Sequence, residues 1–200
     1  GVVAVVADAK GVWLALTDDR VVGLDPASLS VRSSYVVPGA TPPPRGSSSF
    51  SSLALGPGGL WATFGSARRM TVDRFDPATL SLLGAIHVPE AEQGIRVVAD
   101  SDSIWLVGRD FVRRVLPSGA LLRSVPIPGV QGAAVSGTRL LVLRSSGAAA
   151  ETLDVLDERG RVVARSDVDG AGGSIAVGGR VVWLGRGLRI ARWRLVVPGR

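Results

Sequence analysis

The chain contains no cysteine and a single histidine, His87. The first absence excludes disulfides, thiolate metal sites and thiol nucleophiles. It assigns no compartment, because a cysteine-free chain suits the cytosol and the exterior equally. The second absence excludes a three-histidine metal site. Lysine is almost missing as well: Lys10 stands alone, and every other basic side chain is an arginine. No apolar run approaches the roughly 18 residues of a spanning helix. The apolar stretches are short and valine-rich, such as VVAVVA (2–7), VWLAL (12–16) and LLVL (140–143), which are strand lengths. No segment shows helical periodicity. Acidic residues stop at Asp169. Residues 1–179 are balanced in charge, and Arg180, Arg186, Arg189, Arg192, Arg194 and Arg200 supply the net +6. A nucleic-acid surface would spread basic groups along one face among aromatics, so no specific nucleic-acid binding is expected. Gly1 in place of an initiator Met reads as the start of a processed or excised chain.

What is present is a repeat. Trp13, Trp61, Trp105 and Trp183 sit in GVWLAL, GLWATF, SIWLVG and VVWLGR, and TRLLVLR fills the long gap with Val142 in the tryptophan position. The units recur at roughly forty to fifty residues, the period of propeller blades. Each opens with a β-branched segment and a Gly/Asp/Ser turn, followed by the tryptophan segment. A third segment (RVVGLD, VDRFD, FVRRVL, TLDVLD) leads through a turn to a fourth that closes on YVVPG, HVPE, PIPG or DVDG. Four short strands per unit, stacked in series, predict an all-β chain: a single β-propeller over 1–200 of about five four-stranded blades, at 1–39, 50–90, 94–129, 130–170 and 173–200. The fifth is expected to be incomplete, since only RLVVPGR follows LRIARW.

The phrase LDPASL (24–29) returns as FDPATL (75–80). Asp25 and Asp76 have the short acceptor that caps a turn, and Pro26 and Pro77 the preset φ of a type I turn. The third and fourth units use LPSG (116–119) and DERG (157–160) at the same bend. A turn role accounts for both aspartates without catalysis.

GLWATF followed by VDRFDPATLSLLGAIHVP (72–89) resembles the units of bacterial propellers of the YVTN, NHL and streptogramin-lyase-like group, also described as quinoprotein-like. The likeness covers most of the chain and implies the propeller fold, typically with six or seven blades where five are counted here. The lyase members use a histidine, carboxylates and magnesium near the axis. His87, on an outermost strand, does not match that arrangement. No catalytic residue, metal site or cofactor is therefore expected. Metal-dependent lyase chemistry through Asp18, Asp19 and Asp110 is the enzymatic alternative.

In such a blade the two–three turns and the blade connections share one end of the disc. Arg45, Arg68, Arg69, Arg109, Arg144 and Arg186 fall there, and the opposite end is expected to be acidic. Clustered arginines attract anions. The loop 38–50, rich in proline and serine, lies at the same end. The reading is a non-enzymatic binding or sensor module of a larger bacterial protein, extracytoplasmic, taking an anionic small ligand or an acidic protein surface on this arginine face. No membrane insertion is expected of this segment. A structural role, with self-association through the open edge of the fifth blade, is the third reading.

Overall fold

A computed structural model of the chain describes residues 1–18, 20–37, 50–66, 69–88, 95–145, 151–168, 174–178, 181–186 and 189–194. At 50, 51, 65, 66, 69, 186 and 189 it describes the backbone alone. Strands β1 (Val2–Asp8), β2 (Gly11–Leu16), β3 (Arg20–Leu24) and β4 (Val31–Val36) form the first sheet. The second is β5 (Phe50–Gly56), β6 (Gly59–Ser66), β7 (Arg69–Phe75) and β8 (Leu82–Val88). The third is β9 (Arg96–Asp100), β10 (Ser103–Val107), β11 (Phe111–Val115) and β12 (Val125–Pro126). The fourth is β13 (Val130–Ser136), β14 (Arg139–Ser145), β15 (Glu151–Leu156) and β16 (Val162–Val168). The fifth has three strands among the described residues: β17 (Ser174–Gly178), β18 (Val181–Arg186) and β19 (Arg189–Arg194). Within each sheet every strand pairs antiparallel with the next in sequence, so every sheet is a meander and the chain is a five-bladed β-propeller.

A four-stranded sheet has two faces to cover, and the blades cover each other. The first strands line up, β1 against β5, β5 against β9, β9 against β13 and β13 against β17. Four apolar layers lie between successive blades. Trp13 packs with Leu53, Leu60, Phe75 and Leu80 between blades 1 and 2. Trp61 packs with Ile95, Ile104 and Leu106 between blades 2 and 3. Trp105 meets Leu140, Val142 and Leu156 between blades 3 and 4, and Leu141, Leu143 and Val155 meet Val182 and Leu184 between blades 4 and 5. Burying one such large side chain is worth about 1.5–3 kcal/mol.

The strand pairing corrects one sequence assignment. In blades 1, 2, 3 and 5 the tryptophan stands two residues after the start of the one–two hairpin pairing, at Gly11, Gly59, Ser103 and Val181. In blade 4 that pairing starts at Arg139, opposite Ser136, so the tryptophan position is Leu141 and not Val142. A shift of one residue turns a side chain to the other face. Leu141 accordingly faces blade 5, as a tryptophan would, and Val142 faces blade 3.

The repeated DPA phrase folds as a capped turn. Asp76 Oδ1 accepts from the backbone N–H of Ala78 and Thr79 and from the Thr79 hydroxyl. Asp25 does the same for Ala27 and Ser28. The Thr79 N–H holds the Asp76 carboxyl below the usual carboxylate range, and the Ser28 N–H does so for Asp25. The closure is wider than the expected type I turn. The leucine N–H bonds back to the aspartate carbonyl, 2.8 Å for both Leu29 to Asp25 and Leu80 to Asp76. Both leucines adopt the left-handed conformation, φ 55° and 57°. Blades 3 and 4 use the tighter version, with Gly119 and Gly160 at positive φ.

Candidate functional site: the crevice between blades 3 and 4

The arginines expected to form a loop face are distributed unevenly. Arg45 and Arg68 lie outside the described residues, and the side chains of Arg69 and Arg186 do too. The backbones of Arg69 and Arg186 stand at the start of β7 and the end of β18, next to their two–three turns. Arg109 is exposed in the two–three turn of blade 3, and its carbonyl accepts from the N–H of Val130, the first residue of β13, 2.8 Å away. Arg144 turns inward: its Nε lies 2.8 Å from Oδ2 of the buried Asp154. Arg165 clamps the same carboxylate from β16 with two bonds of 2.6 and 3.1 Å. The loop 38–50 lies outside the described residues apart from residue 50.

Two carboxylates of the same end are engaged, while Glu151 Oε2 is buried without a hydrogen-bond partner among the described residues. Asp18 binds Arg20 at 2.7 Å, which keeps its carboxyl below the ordinary range. Asp110 Oδ1 accepts from the Gly129 N–H at 3.2 Å, and Asp19 lies outside the described residues. His87 is exposed on β8, the outer strand of blade 2.

The opposite end of the disc carries more basic chemistry than expected. Here the three–four turns of blades 2, 3 and 4 each receive a donor from the blade before. Trp13 Nε1 donates to the carbonyl of Pro77 at 2.8 Å. Arg74, across the pairing from Trp61, donates to that of Pro117 at 2.5 Å. Arg114, across from Trp105, reaches the carbonyl of Glu158 at 3.4 Å. These acceptors occupy one equivalent position, second in the turns DPAT, LPSG and DERG.

Between blades 3 and 4 this arrangement opens into a crevice of about 500 Å³. It is lined by Trp105, Leu122 and Val125 and by Arg114, Arg123, Arg159 and Glu158. The Arg114–Glu158 carboxylate contact is long, 3.5 Å. Two buried donors there, Trp105 Nε1 and Arg114 Nε, have no hydrogen-bond partner among the described residues. Trp105 is 1% exposed. Leaving buried N–H groups unbonded costs about 1–3 kcal/mol each, so the crevice holds donors in want of acceptors. Asp157 does not supply them: it is bound to Arg161 and to the backbone of its own turn. Sequence reasoning missed this cluster. Its members lie on β10 and β11, in and just before β12 and in the turn of the next blade, so no spacing in the sequence displays it.

A larger groove of about 700 Å³ runs across blades 1 to 3 at the same end, past Trp13, Lys10 and Arg32. Its carboxylates are used. Asp8 caps the N–H groups of Lys10 and Gly11. Asp100 spans blades 3 and 4 by accepting from the Gly137 N–H at 2.9 Å.

No known family model matches the chain, and no curated protein matches it. In three dimensions it is similar to hydrazine synthase from Kuenenia stuttgartiensis, with a TM-score of 0.68 and 14% identity over 92% of this chain and 55% of that one. It is similar to BamB from Moraxella catarrhalis, with a TM-score of 0.66 and 12% identity over 96% of this chain and 57% of that one. The computationally designed protein Ika8 gives a TM-score of 0.64 and 16% identity over 96% and 58%. The chain thus spans a little over half the length of each. At such identities the likeness shows the fold, a β-propeller, and leaves function to the site.

Proposed function

We propose that the chain is a non-enzymatic binding module that takes an anionic ligand or an acidic partner surface, and that the crevice between blades 3 and 4 is where it does so. One observation carries the reading: the buried, unpartnered N–H groups of Trp105 and Arg114 belong to side chains that line a cleft edged by Arg123 and Arg159. A carboxylate or phosphate oxygen would satisfy both donors and bring charge to the arginines. Charge-assisted bonds of this kind are the strong ones. The engaged state of Asp18, Asp100, Asp110 and Asp157 favours recognition over acid–base or metal chemistry. The expectation from sequence sets recognition at the loop end. There Arg109 is the exposed member with a described side chain, and Arg144 is held by Asp154.

The experiment is a titration with a short oligoglutamate peptide, followed by tryptophan emission. Arg123→Ala with Arg159→Ala is expected to weaken binding by roughly tenfold or more, and Arg109→Glu to leave it unchanged. Loss through Arg109→Glu alone would return recognition to the loop end. No binding by the parent protein refutes the reading.

A further inference from the structure

Each internal blade contact joins the same two faces. The leading face carries the tryptophan, or Leu141 in blade 4. In blades 2 and 3 an arginine lies opposite that tryptophan and reaches the next blade's three–four turn. The receiving face, shown by blade 2, offers Leu53, Leu60, Phe75 and the turn leucine Leu80.

Blade 5 has a leading face with nothing on it among the described residues. Trp183 is 37% exposed, against 0–1% for Trp13, Trp61 and Trp105. Arg192 lies across the pairing from Trp183, as Arg74 and Arg114 do from theirs. Ala176 is also opposite Trp183, and Ile190 shares a face of β19 with Arg192; both are exposed. Blade 1 has a receiving face that is exposed on its first strand and at its turn, although Val22 on β3 is buried. Val5 stands where blade 2 has Leu53, and it is 58% exposed against 9%. Leu29, the turn leucine, is 61% exposed while Leu80 is 2%. Among the described residues no donor meets the Pro26 carbonyl, the equivalent of the Pro77 carbonyl that Trp13 binds. Among the described residues the two open faces do not cover each other: β17 makes no packing with β1 comparable to that of β13 with β17.

We propose that these faces cover each other between two copies of the chain. Blade 5 of one copy seats on blade 1 of a second, with Trp183 against Val5 and Leu29 and with Arg192 donating to the carbonyl of Pro26. The occupant is argued from the chain itself. Four internal contacts define what a leading face accepts, and blade 1 carries that chemistry down to the DPA turn. Exposed apolar side chains grouped on a sheet face mark an interaction surface. The contact is head-to-tail, so copies join into a ring or continue in series.

The test is the mass in solution by light scattering across a concentration series. The parent chain is expected to form a dimer or larger assembly, and Trp183→Glu and Leu29→Glu each to give folded monomers, with dissociation constants raised roughly a hundredfold or more. Mixing the two variants is the decisive arm. Leu29→Glu keeps an intact blade 5 and Trp183→Glu an intact blade 1, so together they should form a one-to-one complex that neither forms alone. Arg192→Glu, at an exposed position, gives a second disruption if Trp183→Glu folds poorly. A parent chain that stays monomeric at high concentration overturns the proposal and leaves these faces to another partner. So does an assembly that survives both face variants, or one that only the blade 5 variant disturbs.

Discussion

The guanidinium of Arg74 ties blade 2 to blade 3 by donating to the carbonyl of Pro117 at 2.5 Å while lying 5.7 Å from the centre of the Trp61 ring. One side chain thus covers the indole and fixes the next blade's turn. Arg74→Met keeps most of the covering stem but loses the donor and the charge. Net hydrogen bonds of charged groups are worth about 1.5–3 kcal/mol, and a cation over a ring up to about 2 when desolvated. Arg74→Met should therefore lower unfolding stability by about 1–3 kcal/mol in urea denaturation, and Arg74→Ala by more. Equal stability of Arg74→Met and the parent would show that the tie is incidental.

Asp73 and Asp154 stand at the same register position in blades 2 and 4, each beside the residue opposite the tryptophan position. Asp154 is clamped by Arg144 and Arg165. At the corresponding places blade 2 has Phe64 and Ala85, so Asp73 is buried without a cation and Oδ1 has no partner among the described residues. Burial pushes its carboxyl up to about 6 from 3.8. The titratable group facing it from blade 1 is Tyr35, pushed up by burial first and by the Asp73 charge second. A carboxyl raised in the folded state binds its proton more tightly there than in the unfolded chain. Stability from this group is present at low pH and is lost as pH rises from about 4 to about 6, by on the order of 3 kcal/mol. Asp73→Asn should flatten that decline in melts between pH 4 and 7.5 and exceed the parent in stability at pH 7.5. An unchanged pH profile would mean that the carboxyl finds water.

Removing the carboxylate at Asp154 should do the reverse. Asp154→Asn leaves Arg144, largely buried, facing a neutral amide. Breaking a buried pair from one side typically costs about 3–5 kcal/mol. The opposite signs of Asp73→Asn and Asp154→Asn at neutral pH, read by the same urea titration, would isolate the arginine clamp as the difference between two otherwise equivalent positions.

The repeat was legible in the sequence because each blade interface needs one large side chain, and a tryptophan between turn residues is easy to see. Blade 4 was the exception. Its LLVL run is apolar on both faces, so alternation gives no phase, and only the Ser136–Arg139 hairpin pairing shows that Leu141 takes the tryptophan's place. The aspartate turns were legible since their bonds are local. Their width was not, because it depends on Leu29 and Leu80 accepting positive φ. The ties from Trp13, Arg74 and Arg114 were hidden, as each acceptor lies on the following blade. For the same reason the sequence placed arginines by loop assignment and could not reveal that Arg144 is spent on Asp154, or that Arg123 and Arg159 meet beside Trp105.

The two turn leucines share a backbone strain and differ in burial, which separates the two effects. A left-handed conformation costs a non-glycine residue about 1–2 kcal/mol, and glycine would relieve that. At Leu80 the side chain is 2% exposed and packs between blades 1 and 2. Its removal forfeits burial and leaves a cavity, typically about 2–5 kcal/mol, so Leu80→Gly should destabilise despite the relief. At Leu29 the side chain is 61% exposed, and there is little burial to lose within one chain. Leu29→Gly, measured in a Trp183→Glu background so that no second copy covers the turn, should match or exceed its parent in urea. If both glycine variants lose stability equally, the leucine conformation is not strained and Leu80 owes its place to the turn alone.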